Sequence, residues 1–473
     1  MKKVLLFSTV GCNWLRDVEE YSNNKEIKIT GFVSSNTQIN EVADVLKDAL
    51  AFGKALPRNF YDYNLDPDFL RYMAPYEMDF QLMLERSAAK SGSYFHSLIV
   101  YYKYIKYCES ILEQTDPDLV LFDGTPHHAV SYLLYRISIY KKVKTFIIDR
   151  LKFAGYCGYF SSYENKSLIE EESKPGSNVP DIRLDIQSSQ KEYLETVRTN
   201  PKEKNTKSKN KKKYVPMSAR YKTGIMATFT SDIFHRRIGI KSSARALINH
   251  VLITYQQKVL KRFYEGLCGD TTTFNTKYIY VPLHVQPEKT TVPEGGVYAQ
   301  QWLLLNNLAH AIPEDWVILV KEHPLTFSKF YSRIDNFRSK SYYLELMSIP
   351  KIKFVSLESE NNDLIDNAKA VATVTGFAAF EAVARGVPAL VFGYSPFIGC
   401  DGVFNARSDK DLRSALESIR NGYSISTEEV VQFLKKIEAS RFVAFNPNMR
   451  KVDKRNEEEL KFELFKRIIE DEL

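Results

Sequence analysis

Short apolar runs alternate along this chain with amphipathic stretches, and polar turns separate them. Lys3–Ser8 is an apolar run closed by Thr9-Val10-Gly11, and a helix is expected around Leu15–Ser22. Ile27–Val33 alternates as a strand does and stops at Ser34-Ser35-Asn36. Tyr72–Leu112 reads as helix, and its tyrosines at helical spacing, Tyr101, Tyr104 and Tyr107 among them, read as core packing. Leu119–Phe122 is a buried-strand run between Asp116-Pro117-Asp118 and Asp123-Gly124-Thr125-Pro126. A helix over His128–Tyr140 and a strand over Val143–Ile148, ending in Asp149-Arg150, complete the pattern. Strand, turn, helix and strand in this order predict a parallel sheet with crossover helices.

Periodicity weakens between about Asn165 and Asn275, apart from an amphipathic stretch near Ala244–Leu267. It then returns. Strands are expected at Lys277–Leu283, Trp316–Lys321, Ile352–Phe354, Ala370–Val374 and Pro388–Phe392. Helices are expected near Gln300–Ala311, through Met347, at Leu364–Ala368 and at Ala378–Arg385. The fold class is therefore α/β, with two doubly wound, Rossmann-like domains. The first spans 1–165, a lysine-rich insertion and linker 166–275, and the second domain 276–426. The tail 427–473 reads as charged helix able to cross back onto the first domain.

Composition narrows the class only a little. A chain of 473 residues exceeds one compact core, and 44% hydrophobic with 26% charged residues excludes wholesale disorder. The net charge is +7, but seven lysines and one glutamate crowd into Lys202–Lys213. That run could hold phosphates, an anionic membrane surface or an acidic polymer, or it could be a solvated loop. No nucleic acid partner is expected. Five scattered cysteines without a CxxC pair suit a reducing compartment better than a disulfide framework. The start Met-Lys-Lys-Val-Leu-Leu-Phe-Ser lacks the long apolar run of an export signal, and no stretch offers about eighteen consecutive apolar residues. The expectation is a cytoplasmic protein, with peripheral contact at the inner face of the membrane through the lysine run.

Candidate chemistry gathers where strands end, since open parallel sheets bind ligands beyond the carboxyl ends of their strands. In Thr373-Val-Thr-Gly-Phe-Ala-Ala-Phe-Glu381, a strand runs through a small, hydroxylated loop directly into a helix. Thr373, Thr375 and Gly376 would stand at that helix N-terminus, where amides favour a phosphate. Glu381 would accept hydrogen bonds from a ribose, and Gly386 and Pro388 close the unit. The alternative is an ordinary strand–helix joint with Thr375 as its cap. In Val320-Lys321-Glu322-His323-Pro324, His323 can donate to a phosphate leaving group and Lys321 adds charge. Pro282-Leu-His-Val-Gln-Pro-Glu288 follows another strand. There Gln286 could bond a base or sugar, while Glu288 either orients His323 or a substrate hydroxyl, or simply lies in a loop. Asp123 and Asp149 are the carboxylates at strand ends in the first domain.

The order of a Gln-Pro motif, Val-Lys-Glu-His-Pro and Thr-x-Thr-Gly-x4-Glu-Ala-x3-Gly-x-Pro resembles the capsule polysaccharide synthesis family. That family includes bacterial β-Kdo transferases. The resemblance covers Lys277–Gly399 and extends more loosely over Leu119–Phe160. It implies a GT-B fold, two domains facing a central cleft, and a CMP-activated ulosonic acid such as Kdo as donor. It also implies a glycan or glycolipid acceptor and no cofactor. Gln286, Lys321, His323, Thr373, Thr375, Gly376 and Glu381 would bind the nucleotide. Asp149 or Asp123 would be the catalytic carboxylate, as general base or as nucleophile. No metal is implied, and no DxD pattern stands at a suitable strand end. Two alternatives remain: a polyol-phosphate transferase resembling teichoic-acid polymerases, and a non-catalytic protein that binds nucleotide or polysaccharide within an assembly.

Overall fold

Two stretches of apolar, β-branched and aromatic runs become two six-stranded sheets, each lined on its faces by helices. The computed structural model describes residues 2–8, 18, 20–22, 25, 27–33, 64–86, 94–151, 156–165, 194–195, 197–198, 240–269, 276–286, 288–327, 337–439, 443–445 and 454–473. The lysine run Lys202–Lys213 and most of the helix expected at Leu15–Ser22 lie outside these residues.

In chain order, the first sheet holds β1 (Lys2–Ser8), β2 (Ile27–Val33), β3 (Leu119–Asp123), β4 (Lys144–Arg150) and β5 (Tyr156–Phe160). The second holds β6 (Lys277–Pro282), β7 (Trp316–Lys321), β8 (Ile352–Phe354), β9 (Ala370–Thr373), β10 (Ala389–Val391) and β11 (Val403–Asn405). A last strand, β12 (Val443–Phe445), returns to the first sheet. The spatial orders are β12-β5-β4-β3-β1-β2 and β11-β10-β9-β6-β7-β8. Every pairing is parallel except β4 with β5 and β5 with β12. The doubly wound reading holds for both sheets. In the second, strand order reverses between β6 and β9, the position at which such sheets open a crevice for ligands.

Several elements differ from the sequence reading. The tail is not helix throughout. β12 separates the helices Thr427–Ala439 and Lys454–Glu472, and it pairs Val443 with Gly158 and Phe445 with Tyr156. Three residues among charged helices carry too little pattern to announce a strand, and partnership with β5 defines it. The helix expected at Leu364–Ala368 lies at Asn361–Asp366, because Leu364 and Ile365 are its buried residues and Asn367 caps it. The helix Ile240–Leu267, within the expected linker, packs Leu260 and Tyr264 into the core of the second sheet. The final helix buries Leu464, Phe465, Ile468 and Ile469 against Val4, Leu6, Leu119, Leu121 and Ile148 under the first sheet. At about 1.5–3 kcal/mol for each large apolar side chain removed from water, that stripe anchors the tail firmly.

Candidate functional site

The crevice between β6 and β9 is built from residues far apart in sequence. Beyond β6 the chain passes His284, whose backbone N–H donates to Gln301 Oε1 at 2.6 Å and whose carbonyl accepts from Gln301 Nε2 at 3.1 Å. One side-chain amide thus holds that residue as a neighbouring strand would. The His284 ring reaches β9, with Nε2 2.8 Å from Thr373 Oγ1 and 3.4 Å from the Thr375 N–H that points at it. A nitrogen that accepts an N–H carries no proton, so Nδ1 carries it in neutral His284. Gly376 N–H donates to Thr373 Oγ1 at 3.1 Å, and Thr375 Oγ1 donates to the Thr290 carbonyl at 2.9 Å. The loop amides expected to face a phosphate are therefore engaged by His284 and Thr373. The helix that follows, Ala378–Ala384, is a short one of 7 residues. Glu381 lies in its first turn, partly buried, and burial raises its carboxyl above the usual range while Arg385 opposes the shift. Gly386, at φ +80, ends that helix in the left-handed conformation that glycine adopts without strain.

Beneath the crevice a buried ion pair sets the geometry. Glu322 is 0% exposed and Arg338 2%. Arg338 Nε donates to Glu322 Oε2 at 2.6 Å, and its terminal nitrogens reach Gln286 Oε1 at 2.6 Å and the His284 carbonyl at 3.0 Å. Tyr343 donates to Glu322 Oε2 at 2.9 Å, and the His323 N–H donates to Glu322 Oε1 at 2.8 Å. Gln286 donates in turn to the Ala299 carbonyl. Gln286 is thereby held between Arg338 and the Ala299 carbonyl. Lys321 is also turned inward, donating to the Ser359 carbonyl at 2.6 Å and to Asn361 Oδ1 at 2.7 Å.

His323 is placed differently. It is half-buried, and burial lowers its pKa against the opposing pull of Glu322 and Glu288. Leu325 N–H donates to its Nδ1 at 3.1 Å. The neutral ring therefore carries its proton on Nε2, a donor that a phosphate oxygen can use.

The two sheets meet through the loop after β6. Lys289 Nζ lies 2.8 Å from Asp149 Oδ1 and 2.9 Å from Oδ2, and Arg150 N–H donates to Oδ1 at 2.9 Å. Thr125 Oγ1 is 2.7 Å from Asp149 Oδ2 and 3.0 Å from Glu294 Oε1. Thr125 and Glu294 are 1% exposed and Asp149 is 4%. The same loop is fastened to the second sheet, since Tyr394 N–H donates to the Glu294 carbonyl at 2.7 Å. Gly393 allows the approach, because a Cβ there would stand 2.6 Å from the Glu294 carbonyl oxygen. Asp149 is thus linked to the crevice through Lys289 and its neighbour Thr290, which Thr375 grips. Asp123 lies elsewhere, ion-paired at 2.6 Å with Lys461 of the final helix.

Sequence reading singled out Thr373, Thr375 and Gly376, which the structure brings together, and Asp149, which it places at the junction of the sheets. It passed over His284, Arg338, Lys289, Thr125 and Glu294. His284 stood within a motif already marked and could have been found there. Arg338 and Glu294 carry no local signal, since Gln286 lies 52 residues from the first and Thr125 lies 169 from the second along the chain.

Comparison with known proteins adds an independent line. Residues 188–420 match the family model described as capsule polysaccharide biosynthesis protein. No curated protein matches the chain. Among solved structures, it is similar to a Thermosulfurimonas dismutans KpsC, a beta Kdo 2,7 transferase, at 13% identity and TM-score 0.29, over 80% of this chain and 98% of that one. A KpsC beta Kdo 2,4 transferase from the same organism is similar at 7% identity and TM-score 0.30, over 73% and 87%. UDP-GlcNAc 2-epimerase from Neisseria meningitidis is similar at 11% identity and TM-score 0.27, over 100% of both chains. Those scores leave the argument to the matched region and to the two sheets built above. Over residues 188–420, just under half of its length, the chain is similar to the capsule polysaccharide biosynthesis family.

Proposed function

We propose that this protein is a GT-B glycosyltransferase of bacterial capsule or other surface polysaccharide assembly. It transfers a sugar, favoured as Kdo or another ulosonic acid, from a CMP-activated donor to a glycan or glycolipid acceptor. The observation that carries the reading is the linkage of Asp149 to the β6–β9 crevice through Lys289 and Thr290. A carboxylate from one sheet and the β6–β9 switch point of the other are thereby held a few residues apart.

In this reading the nucleotide sits over Thr373, Thr375 and Gly376, with Glu381 toward the ribose. His323 donates through Nε2 to the departing phosphate, whose growing negative charge meets a donor already in place. Gln286 and Lys321 act from beneath, holding the loops that carry these groups. Asp149 serves the acceptor side, either taking the hydroxyl proton or attacking the anomeric carbon. Asp123, paired with Lys461, belongs to the packing of the final helix.

Thermal shift with CMP, CDP, UDP and GDP tests the donor assignment. CMP at about 100 times its dissociation constant should add roughly 2.7 kcal/mol of stability. Stabilisation by UDP alone would overturn the assignment.

A further inference from the structure

Two helices packed against each other leave apolar side chains in water. The helix Ile240–Leu267 buries Leu260 and Tyr264, and at about 100° a residue Tyr255, Val259 and Arg262 fall on its opposite side. Tyr255 is 66% exposed, and the exposed Lys258 and Arg262 flank it. On the helix Lys340–Ser348, the residues Lys340, Leu344 and Met347 form one stripe beside the buried Tyr343 and Leu346. Leu344 is 53% exposed and Met347 47%. Lys340 Nζ sits 5.4 Å from the centre of the Phe263 ring, and the Tyr264 and Tyr343 ring centroids are 5.3 Å apart, so the two stripes adjoin. Among the described residues, no carboxylate pairs with Lys258, Arg262 or Lys340. Of the acids on these helices, Glu265 accepts from the Leu357 N–H at 3.2 Å, and Glu345 falls on the far side of its helix from Lys340.

We infer that this helix pair docks on an anionic lipid surface. Tyr255, Leu344 and Met347 enter the interface, while Lys258, Arg262 and Lys340 meet the headgroup phosphates. The mixture of side chains selects the occupant. A soluble acidic polymer would use the cations and leave the apolar side chains in water. At a bilayer surface, apolar groups reach the acyl boundary and unpaired cations stay level with the phosphates. Long basic side chains suit that division, because their stems lie along apolar surface while their charged ends remain wet. No helix among the described residues is long and apolar enough to cross a membrane, so the contact is made by a face. The same pair stands beside the support of the crevice, since the Glu322 N–H donates to Tyr264 at 2.9 Å and Tyr264 packs on Phe327 at 5.9 Å. Docking there would bring the His323 loop to the lipid surface, where a glycolipid acceptor is presented; that consequence rests on the transferase reading above, and the docking does not.

Sedimentation of the full-length protein with vesicles tests the surface, without donor or acceptor. The wild type should pellet with vesicles of equal parts phosphatidylglycerol and phosphatidylcholine, and stay in solution with phosphatidylcholine alone. Lys258→Gln combined with Arg262→Gln should weaken partitioning about fivefold for each charge. Tyr255→Ser combined with Leu344→Ser should weaken it about tenfold with the charges intact. Both double variants should keep the wild-type melting temperature, because the altered side chains are exposed. Binding carried by the lysine run Lys202–Lys213 instead would survive both double variants and overturn the inference. Binding to soluble polyphosphate but not to the vesicles would make the face an acidic-polymer site and would also overturn it. A CMP thermal shift is measured apart from all of this, so vesicle binding without any CMP shift would leave the docking standing and remove the transferase reading.

Discussion

Taking away the Arg338 guanidinium leaves the Glu322 carboxylate in the same dry pocket, still accepting from Tyr343 and the His323 N–H but without its cation. Breaking a buried pair from one side costs about 3–5 kcal/mol. Arg338→Met should lower stability by that amount in urea unfolding, and Arg338→Lys should recover little of it. A lysine ammonium cannot reach Glu322, Gln286 and the His284 carbonyl at once, as the planar fork does. His323 makes a second residue-level expectation, this time in pH. Its folded pKa lies below the ordinary 6.5, so on acidification the unfolded chain takes up this proton first. Stability should fall as pH drops from 6.5 toward the folded value and then level off. His323→Gln should remove that part of the slope, and an identical pH profile in the variant would contradict the assignment. Neither residue's situation could be read locally. His323 was visible in its motif, but the lone pair that fixes its tautomer is taken by a backbone amide the sequence does not display.

At the scale of elements, the joint between β9 and the helix Ala378–Ala384 depends on a missing side chain. A Cβ on Gly376 would lie 2.6 Å from Thr373 Oγ1 and 3.2 Å from His284 Cε1. Gly376→Ala should therefore part His284 from Thr373. Overpacking of this kind costs about 1–3 kcal/mol, and the variant should also lose the thermal shift given by CMP. An undiminished shift would show that this joint does not hold the nucleotide. The joint was legible because strand, small-residue loop and helix follow one another without interruption. The same applies to β7 and β8, whose apolar runs fall at Trp316–Lys321 and Ile352–Phe354 as expected. β5 and β12 were not legible. All five residues of Tyr156–Phe160 are buried, so no alternation marks them, and β12 has only three residues. Antiparallel pairing of two distant segments is a property of the sheet rather than of either segment.

For the molecule as a whole, chain order and spatial order part company. The polypeptide leaves the first sheet after β5, builds all of the second, and comes back to lay β12 along β5 and the final helix beneath β1, β3 and β4. A fragment of residues 1–165 would carry β5 as an open edge and the apolar side chains of Val4, Leu6, Leu119 and Leu121 without their cover. Such a fragment should aggregate when expressed alone. It should become soluble when residues 427–473 are supplied as a separate polypeptide, with co-purification as the measurement; a well-behaved fragment without that partner would contradict the expectation. The first sheet is thus finished only by a segment made after the whole of the second sheet. During synthesis it must wait for the ribosome to deliver its outer strand, some 280 residues after that strand's partner β5 has emerged.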